Sequence, residues 1–384
     1  MNKNTELTAI AHISKVDMLR AVAIIAVFLF HSINCLFPNY SATTYTDGHT
    51  LAIEGAKNIF LNFNPFAFGW SGVHLFLLIS GFLIHLSYLN NKEKMNIRTF
   101  YSKRFWRIYP PYFVVLIFLC IFKRGLVYYF FSKVGLIDFF SHVFLLHNFS
   151  DATIVTIDSP FWSLALEAQL YVIYPLLLYF RKKMTMKNTF LVILVLSLVL
   201  QIIGIITNNF GTTYSYDWSL FKLWFVWAAG ALLAETYHNG KTIFGKKGLM
   251  VSVLFLFVLT ASKYFSFTGY FQAHIATLMW FAFFEWFIVS EKIKVTGMLA
   301  KAMIAIGLCS YSIYLIHMTF LHEMFAFFSI THYSAHSGIL NDINILAKVS
   351  ISFIIIFLIS YSMYIFIEQK SISFGKKWRS RSIK

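Results

Sequence analysis

Apolar residues in this chain gather in long unbroken runs. They neither alternate as in strands nor repeat as heptads. Ten runs are long enough to cross a hydrocarbon layer about 30 Å thick as helices. They lie at 16–37, 66–89, 107–123, 163–180, 188–207, 218–236, 248–266, 270–289, 303–328 and 344–367. Lys123 and Arg124 cut the third short. The stretch 125–147 is apolar and aromatic but carries Lys133, Asp138 and His142, so it is read as interfacial or re-entrant. The pattern predicts an all-α polytopic membrane protein with about ten transmembrane helices. One membrane-embedded domain covers 1–370, and 371–384 forms a short basic tail. No internal repeat, low-complexity tract or soluble domain interrupts the runs.

Composition agrees: 58% of the 384 residues are hydrophobic and 12% charged, about half the charge of a soluble domain. The net charge of +16 suggests nucleic acid until its placement is examined. With the N-terminus inside and the runs alternating, 25 of the 32 Lys and Arg fall in inside segments or their adjoining ends. That is the bias of cytoplasmic loops, and it accounts for the charge without nucleic acid. Both termini then come out cytoplasmic. The N-terminus resembles a signal peptide, but no small-x-small cleavage site follows, so it is kept as a span. Cys35, Cys120 and Cys309 lie in apolar runs without pairing or metal spacing. The two longer outside loops, about 38–65 and 124–162, carry Asp47, Glu54, Asp138, Asp151 and Asp158. Such a surface could meet a polar acceptor or simply be solvated.

Ionisable residues inside the apolar runs mark the candidate chemistry. In DMLRAVAIIAVFLFH (17–31), Arg20 and His31 are eleven residues apart. Eleven helical steps close to within about 20° of three turns, so the two share a face, about 16 Å apart along the axis. An Arg20 at the membrane surface puts His31 near mid-bilayer. Alone, His31 also fits a neutral histidine bonded to a neighbouring helix. In FYSKRFWRIYPPY (100–112), Arg104 and Arg107 share a face beside Lys103. Two such arginines make a phosphate clamp, or anchor the span. Pro110 and Pro111 are expected to bend or restart that helix. GWSGVHLFLLISGFLI (69–84) carries His74, with Gly72 and Gly81 able to admit close helix approach. SPFWSLALEAQLYVIYP (159–175) places Glu167 and Gln169 in an apolar helix, and SYSIYLIH (310–317) brings His317 to mid-depth. Glu285, Glu323 and Glu368 stand at or near span ends.

Taken in order, these motifs resemble the acyltransferase-3 family of integral membrane acyltransferases over essentially the whole chain. Arg20 and His31 match its basic residue, ten residues, then histidine. Gly72–Ile84 match its glycine-led motif ending in SGFLI, and Arg104 and Arg107 its R-x-x-R. Trp162–Pro175 match its tryptophan–serine–leucine motif, and Ser310–His317 its serine–tyrosine motif ending in LIH. There are departures. The family usually has an acid where His74 stands, and a second acid where this chain has Ala168. Many relatives add a soluble esterase-like domain after the last span, whereas this sequence ends at Lys384.

The resemblance implies transfer of an acyl group, most often acetyl, from cytoplasmic acyl-CoA to a hydroxyl of a cell-surface or lipid-linked glycan, in the cytoplasmic membrane. Arg104, Arg107 and Lys103 are then expected to hold the CoA phosphates. His31 acts as general base or accepts the acyl group, with Arg20 and Glu167 completing the catalytic set. Glu167 and His317 orient His31 or bind acceptor. Trp162, Ser163, Gln169, Tyr171, His317 and His74 are the expected substrate contacts. No metal is expected, and transfer to the acceptor occurs in the membrane domain or uses a separate periplasmic partner. Two other classes remain open: a glycan or lipid flippase or polymerase, and a proton-coupled transporter relaying through His31, Glu167 and His317. Dependence on acyl-CoA separates the first from an acyltransferase. Transporters often show repeated halves, and none is visible.

Overall fold

A computed structural model describes residues 3–36, 65–262, 269–328 and 339–381. The loop expected at 38–65, with Asp47 and Glu54, falls almost wholly outside them. Every one of the ten apolar runs holds a helix over most of its described residues: α1 (Lys3–Leu36), α2 (Gly72–Asn90), α3 (Ile97–Lys123), α6 (Phe161–Lys183), α7 (Met186–Ile206), α9 (Leu220–His238), α10 (Gly248–Ala261), α11 (Gln272–Val289), α12 with α13 (Met298–Leu308, Ser310–Phe327) and α14 (Ile339–Met363). Between them lie short helices α4 (Gly125–Phe131), α5 (Lys133–Val143) and α8 (Tyr214–Asp217). No strand occurs among the described residues, and the protein is an all-α, multi-pass membrane protein.

Among the described residues, seven helices are long and apolar enough to cross a membrane, with an eighth crossing if α12 and α13, bent by 75°, count as one. Two of the ten expected spans, α9 and α10, are not in that set. Over its described residues α10 has only 14 residues, and α9 carries Lys222 and Glu235. Both charges in α9 are paired, as apolar surroundings require. Lys222 Nζ meets Asp217 at 2.5 Å, and Glu235 accepts from His85 at 3.0 Å and from Arg181.

Lipid removes the hydrophobic drive between helices, so close packing and polar links hold the bundle. α2 and α9 show this most clearly. A Cβ at Gly81 would sit 2.1 Å from the Trp227 carbonyl oxygen, and one at Gly230 would sit 2.1 Å from that of Leu78. Only glycine permits backbones that close. On the opposite kind of surface, α7 turns Val195, Ile202 and Ile206 outward, as lipid-facing residues should be.

Pro110 and Pro111 do not break α3, which runs through both. A proline at 110 leaves the carbonyl of Trp106 without its helical donor. Ser371 Oγ supplies that donor from α15 (Gln369–Arg381). The expected tail is thus largely a helix lying along α3, with Arg379 donating to Ser102 and Arg98 over the Trp378 ring. The segment 125–147 forms α4, α5 and a single 3₁₀ turn, His147–Phe149, all too short to span.

Contacts between helix ends place the basic segments on one face. Lys15 Nζ bonds the carbonyls of Ile288 and Ser290, and Arg181 forms a two-pronged pair with Glu93 at 2.7 and 3.0 Å. At the opposite face, Asp158 accepts from Lys123 and Thr319, and Asp151 from the Ser215 amide. These are called below the basic side and the far side.

Candidate active site

Two cavities lie back to back inside the bundle. The first, about 280 Å³, opens among α1, α2, α3, α6 and α13 towards the basic side. Arg20, Arg104 and Arg107 all line it, together with Glu167 and Tyr171. Helical spacing explains the convergence: Arg104 and Arg107 are one turn apart on α3 and so share its inner face. Arg20 is steadied by Asp17, one turn back on α1, at 2.9 Å. Arg104 lies over the rings of Phe100 and Tyr171, 5.2 and 5.9 Å from their centroids. Its buried Nε has no hydrogen-bond partner among the described residues. A half-buried guanidinium with a buried, unmet Nε at a cavity wall is suited to an anion.

The second cavity, about 820 Å³, lies towards the far side. His31 and Asn34 of α1, His74 of α2, Trp162 of α6, Trp218 after α8 and His322 of α13 line it. The rings of His31 and His317 are 5.2 Å apart. His317 is fully buried, and its Nδ1 lies 2.9 Å from the Tyr314 carbonyl oxygen. That carbonyl only accepts, so Nδ1 carries the proton and Nε2 the lone pair. His74 is buried against Trp70, with neither ring nitrogen bonded to a described residue. Trp162 stacks on Trp218 at 4.5 Å, and Trp218 on Tyr214 at 4.8 Å, giving a three-ring stack at the wall. None of the described lining residues is Lys, Arg, Asp or Glu.

The eleven-residue spacing of Arg20 and His31 thus sends them into different cavities from one face of α1. Only Val73 and Tyr314 line both cavities among the described residues. The Tyr314 hydroxyl donates to the Pro160 carbonyl at 3.1 Å and shares a 2.6 Å bond with Ser163 Oγ.

Three sequence expectations change. Glu167 does not orient His31. It lies one turn along α6 from Ser163, on the arginine side, where the Tyr171 hydroxyl donates to it at 2.5 Å. Gln169 lines neither cavity; it bonds Asn148 and the Leu145 carbonyl and so fastens α6 to the segment after α5. Lys103 is exposed and lines neither. Tyr171 and, beside Tyr314, Ser163 line the arginine cavity. Two acids prove to be structural: Glu285 accepts three backbone amides at 243–245, and Glu368, in the π-helical turn Tyr364–Glu368, accepts from Ser312 at 3.0 Å. Sequence reading missed Asp17 as a partner of Arg20, and Trp218, Tyr214, Asn34 and His322 in the far cavity. The i, i+4 spacing of Tyr214 and Trp218, just before an apolar run, was the available signal.

The profile of the acyltransferase-3 family, described as an acyltransferase domain, matches residues 13–365, nearly the whole chain. The chain belongs to the acyltransferase-3 family. Both cavities lie wholly within the matched region. Among characterised relatives, the O-acetyltransferase OatA of Staphylococcus aureus is 27% identical over 298 residues, which is 69% of this chain and 48% of that protein. The peptidoglycan O-acetyltransferase OatA of Listeria monocytogenes is 26% identical over 189 residues, 45% of this chain and 25% of that protein. An uncharacterised Haemophilus influenzae protein is 28% identical over 182 residues, 43% of this chain and 74% of its own. The chain therefore spans half or less of the length of the OatA relatives. No solved structure matches.

Proposed function

We propose that this acyltransferase-3 protein is a membrane O-acetyltransferase. It takes an acyl group, acetyl by preference, from cytoplasmic acyl-CoA and delivers it to a hydroxyl of an envelope glycan or glycolipid across the bacterial inner membrane. The observation that carries this reading is the pair of cavities, one arginine-lined and one histidine-lined, meeting at Tyr314 and Val73. The basic side corresponds to the cytoplasm by the positive-inside rule.

Arg104 and Arg107 hold the CoA phosphates, and Arg20, braced by Asp17, steadies the arm nearer the chemistry. The pantetheine arm occupies the first cavity, with the thioester where the cavities meet at Tyr314 and Val73. The acceptor enters the second cavity and brings its hydroxyl to His31. As that oxygen attacks the thioester carbonyl, His31 takes its proton. The carbon–oxygen bond forms, the carbon–sulfur bond breaks with its electron pair going to sulfur, and His31 returns the proton to the thiolate. General-base help of this kind is worth about 10² to 10⁴ in rate. His317 supports His31 through its free Nε2 lone pair rather than contacting acceptor. The OatA relatives support an oxygen acceptor of wall-glycan type. A flippase or proton relay leaves the buried, unmet Arg104 Nε without a task.

Membrane vesicles with the cytoplasmic face outward, supplied with radiolabelled acetyl-CoA, test the reading. Label is expected in envelope glycan as a base-labile ester, with equal release of free CoA thiol, and neither in vesicles lacking the protein. Transport or flipping of glycan without consumption of acetyl-CoA overturns it.

A further inference from the structure

We propose that Tyr314 and Val73 form a septum that sets the length of the acyl group, and that Tyr314 is the specificity-determining residue. The inference rests on the acyl-transfer reading and adds to it a selectivity between donors.

The thioester carbon must be reached from two directions, by the arm of its carrier and by the attacking hydroxyl. Among the described residues the two cavities share walls only at Val73 and Tyr314, so the carbonyl sits there. The sulfur stays on the arginine side, and the hydroxyl arrives from the histidine side. Carbons beyond the carbonyl then have two places to go. One is the far cavity, where they take the acceptor's space. The other is the volume of the Tyr314 ring.

That ring is not free to turn aside. Its hydroxyl is held at two points, Ser163 Oγ and the Pro160 carbonyl. Its faces meet Phe76 edge-on at 6.0 Å and His317 at 5.4 Å. Tyr314 and Val73 are both buried, at 5% and 9% exposure, so neither can swing into open solvent. A close-packed wall of this kind discriminates by steric exclusion. A two-carbon acyl group reaches the hydroxyl, and a longer one displaces either acceptor or wall. The bond changes are those of the transfer itself: carbon–oxygen formed, carbon–sulfur broken, the hydroxyl proton passing through His31 to sulfur.

The test compares acetyl-, butyryl- and hexanoyl-CoA in vesicles carrying the parent, Tyr314→Ala, Val73→Ala or Tyr314→Phe. Free thiol and acyl label in glycan are both measured, and acetyl-CoA binding checks that each variant is folded. The parent should prefer acetyl. Tyr314→Ala and Val73→Ala should each raise the hexanoyl-to-acetyl ratio at least about tenfold, since one methylene in a tight pocket is worth about 10 to 200-fold. Tyr314→Phe keeps the ring and should keep the parent's order. A parent that uses hexanoyl-CoA as readily as acetyl-CoA overturns the septum. So does an unchanged profile in the widened variants that still bind acetyl-CoA. If Tyr314→Ala fails to fold, Val73→Ala decides alone. A parent that releases no thiol from any acyl-CoA instead removes the acyl-transfer reading, and the septum with it.

Discussion

The two cavities are built from opposite kinds of residue, although α1, α2, α6 and α13 contribute to both. The basic-side cavity is walled by fixed charge, three arginines and a glutamate, with Asp17 bracing Arg20. The far cavity has histidines and stacked aromatic rings and, among its described walls, no permanently charged side chain. Fixed charge binds an ionic group but is poor at passing protons near neutral pH, whereas imidazole does the reverse. On the proposed mechanism, the contrast matches holding on one side and proton transfer on the other. His31 should therefore be the most sensitive position. His31→Ala and His31→Gln are expected to lose at least about a hundredfold in acyl transfer, with expression and acyl-CoA binding retained. Gln keeps polarity and approximate size but takes up no proton near neutral pH. Substantial transfer by His31→Gln would move the proton chemistry elsewhere, with His317 next in line.

The arginine side should respond in binding rather than in chemistry. Arg104→Ala or Arg107→Ala each removes charge-assisted hydrogen bonds worth about 1.5 to 3 kcal/mol, so acyl-CoA affinity should fall about ten- to a hundredfold. Arg107→Lys should recover only part, because an ammonium lacks the two-pronged geometry. Equilibrium binding in nanodiscs reads this directly. If both alanine variants bind acyl-CoA like the parent, the pair only anchors α3, and the contrast between the cavities loses its donor half.

On the far side, Trp218→Ala should raise the acceptor KM by up to about tenfold, since aromatic stacking is worth about 0.5 to 1.5 kcal/mol. Acyl-CoA binding should stay unchanged, because Trp218 lines only the far cavity. Kinetics with acceptor and donor varied separately will show which KM moves. A change confined to the donor KM would mean that the two ligands share one cavity.

Much of this was readable before folding, for definite reasons. Spans were legible because a long apolar run has few alternatives to a membrane helix. His31, Arg20, Arg104 and Arg107 stood out because ionisable groups in such runs are rare. What failed depended on partners distant in sequence. Continuity through Pro110 depends on Ser371, 265 residues away. Trp218 was hidden among the chain's many aromatics, which are 19% of its residues. Glu167, expected to orient His31 or bind acceptor, lines the arginine cavity instead, because periodicity fixes the face of a residue, not which neighbour closes over it.

The smallest expected effect concerns Gln169, two residues from Glu167 yet outside both cavities. The motif that contains both marks each as polar in an apolar helix, and only the structure separates them. Two helical steps turn a side chain by about 200°, so the pair faces nearly opposite sides of α6. Glu167 meets the arginine cavity, and Gln169 exchanges hydrogen bonds with Asn148 at 2.7 and 3.2 Å and donates to Leu145. Gln169→Ala should therefore cost stability, about 1 to 3 kcal/mol for the lost partly buried hydrogen bonds. Both KM values should stay within about twofold, because no interaction at either cavity wall is removed. Thermal melting in detergent beside steady-state kinetics separates the two roles. A large rise in acceptor KM with melting unchanged would return Gln169 to the substrate and redraw the far cavity's wall. Asn148→Ala supplies the control, since it breaks the same link from the other end and should destabilise to a similar degree.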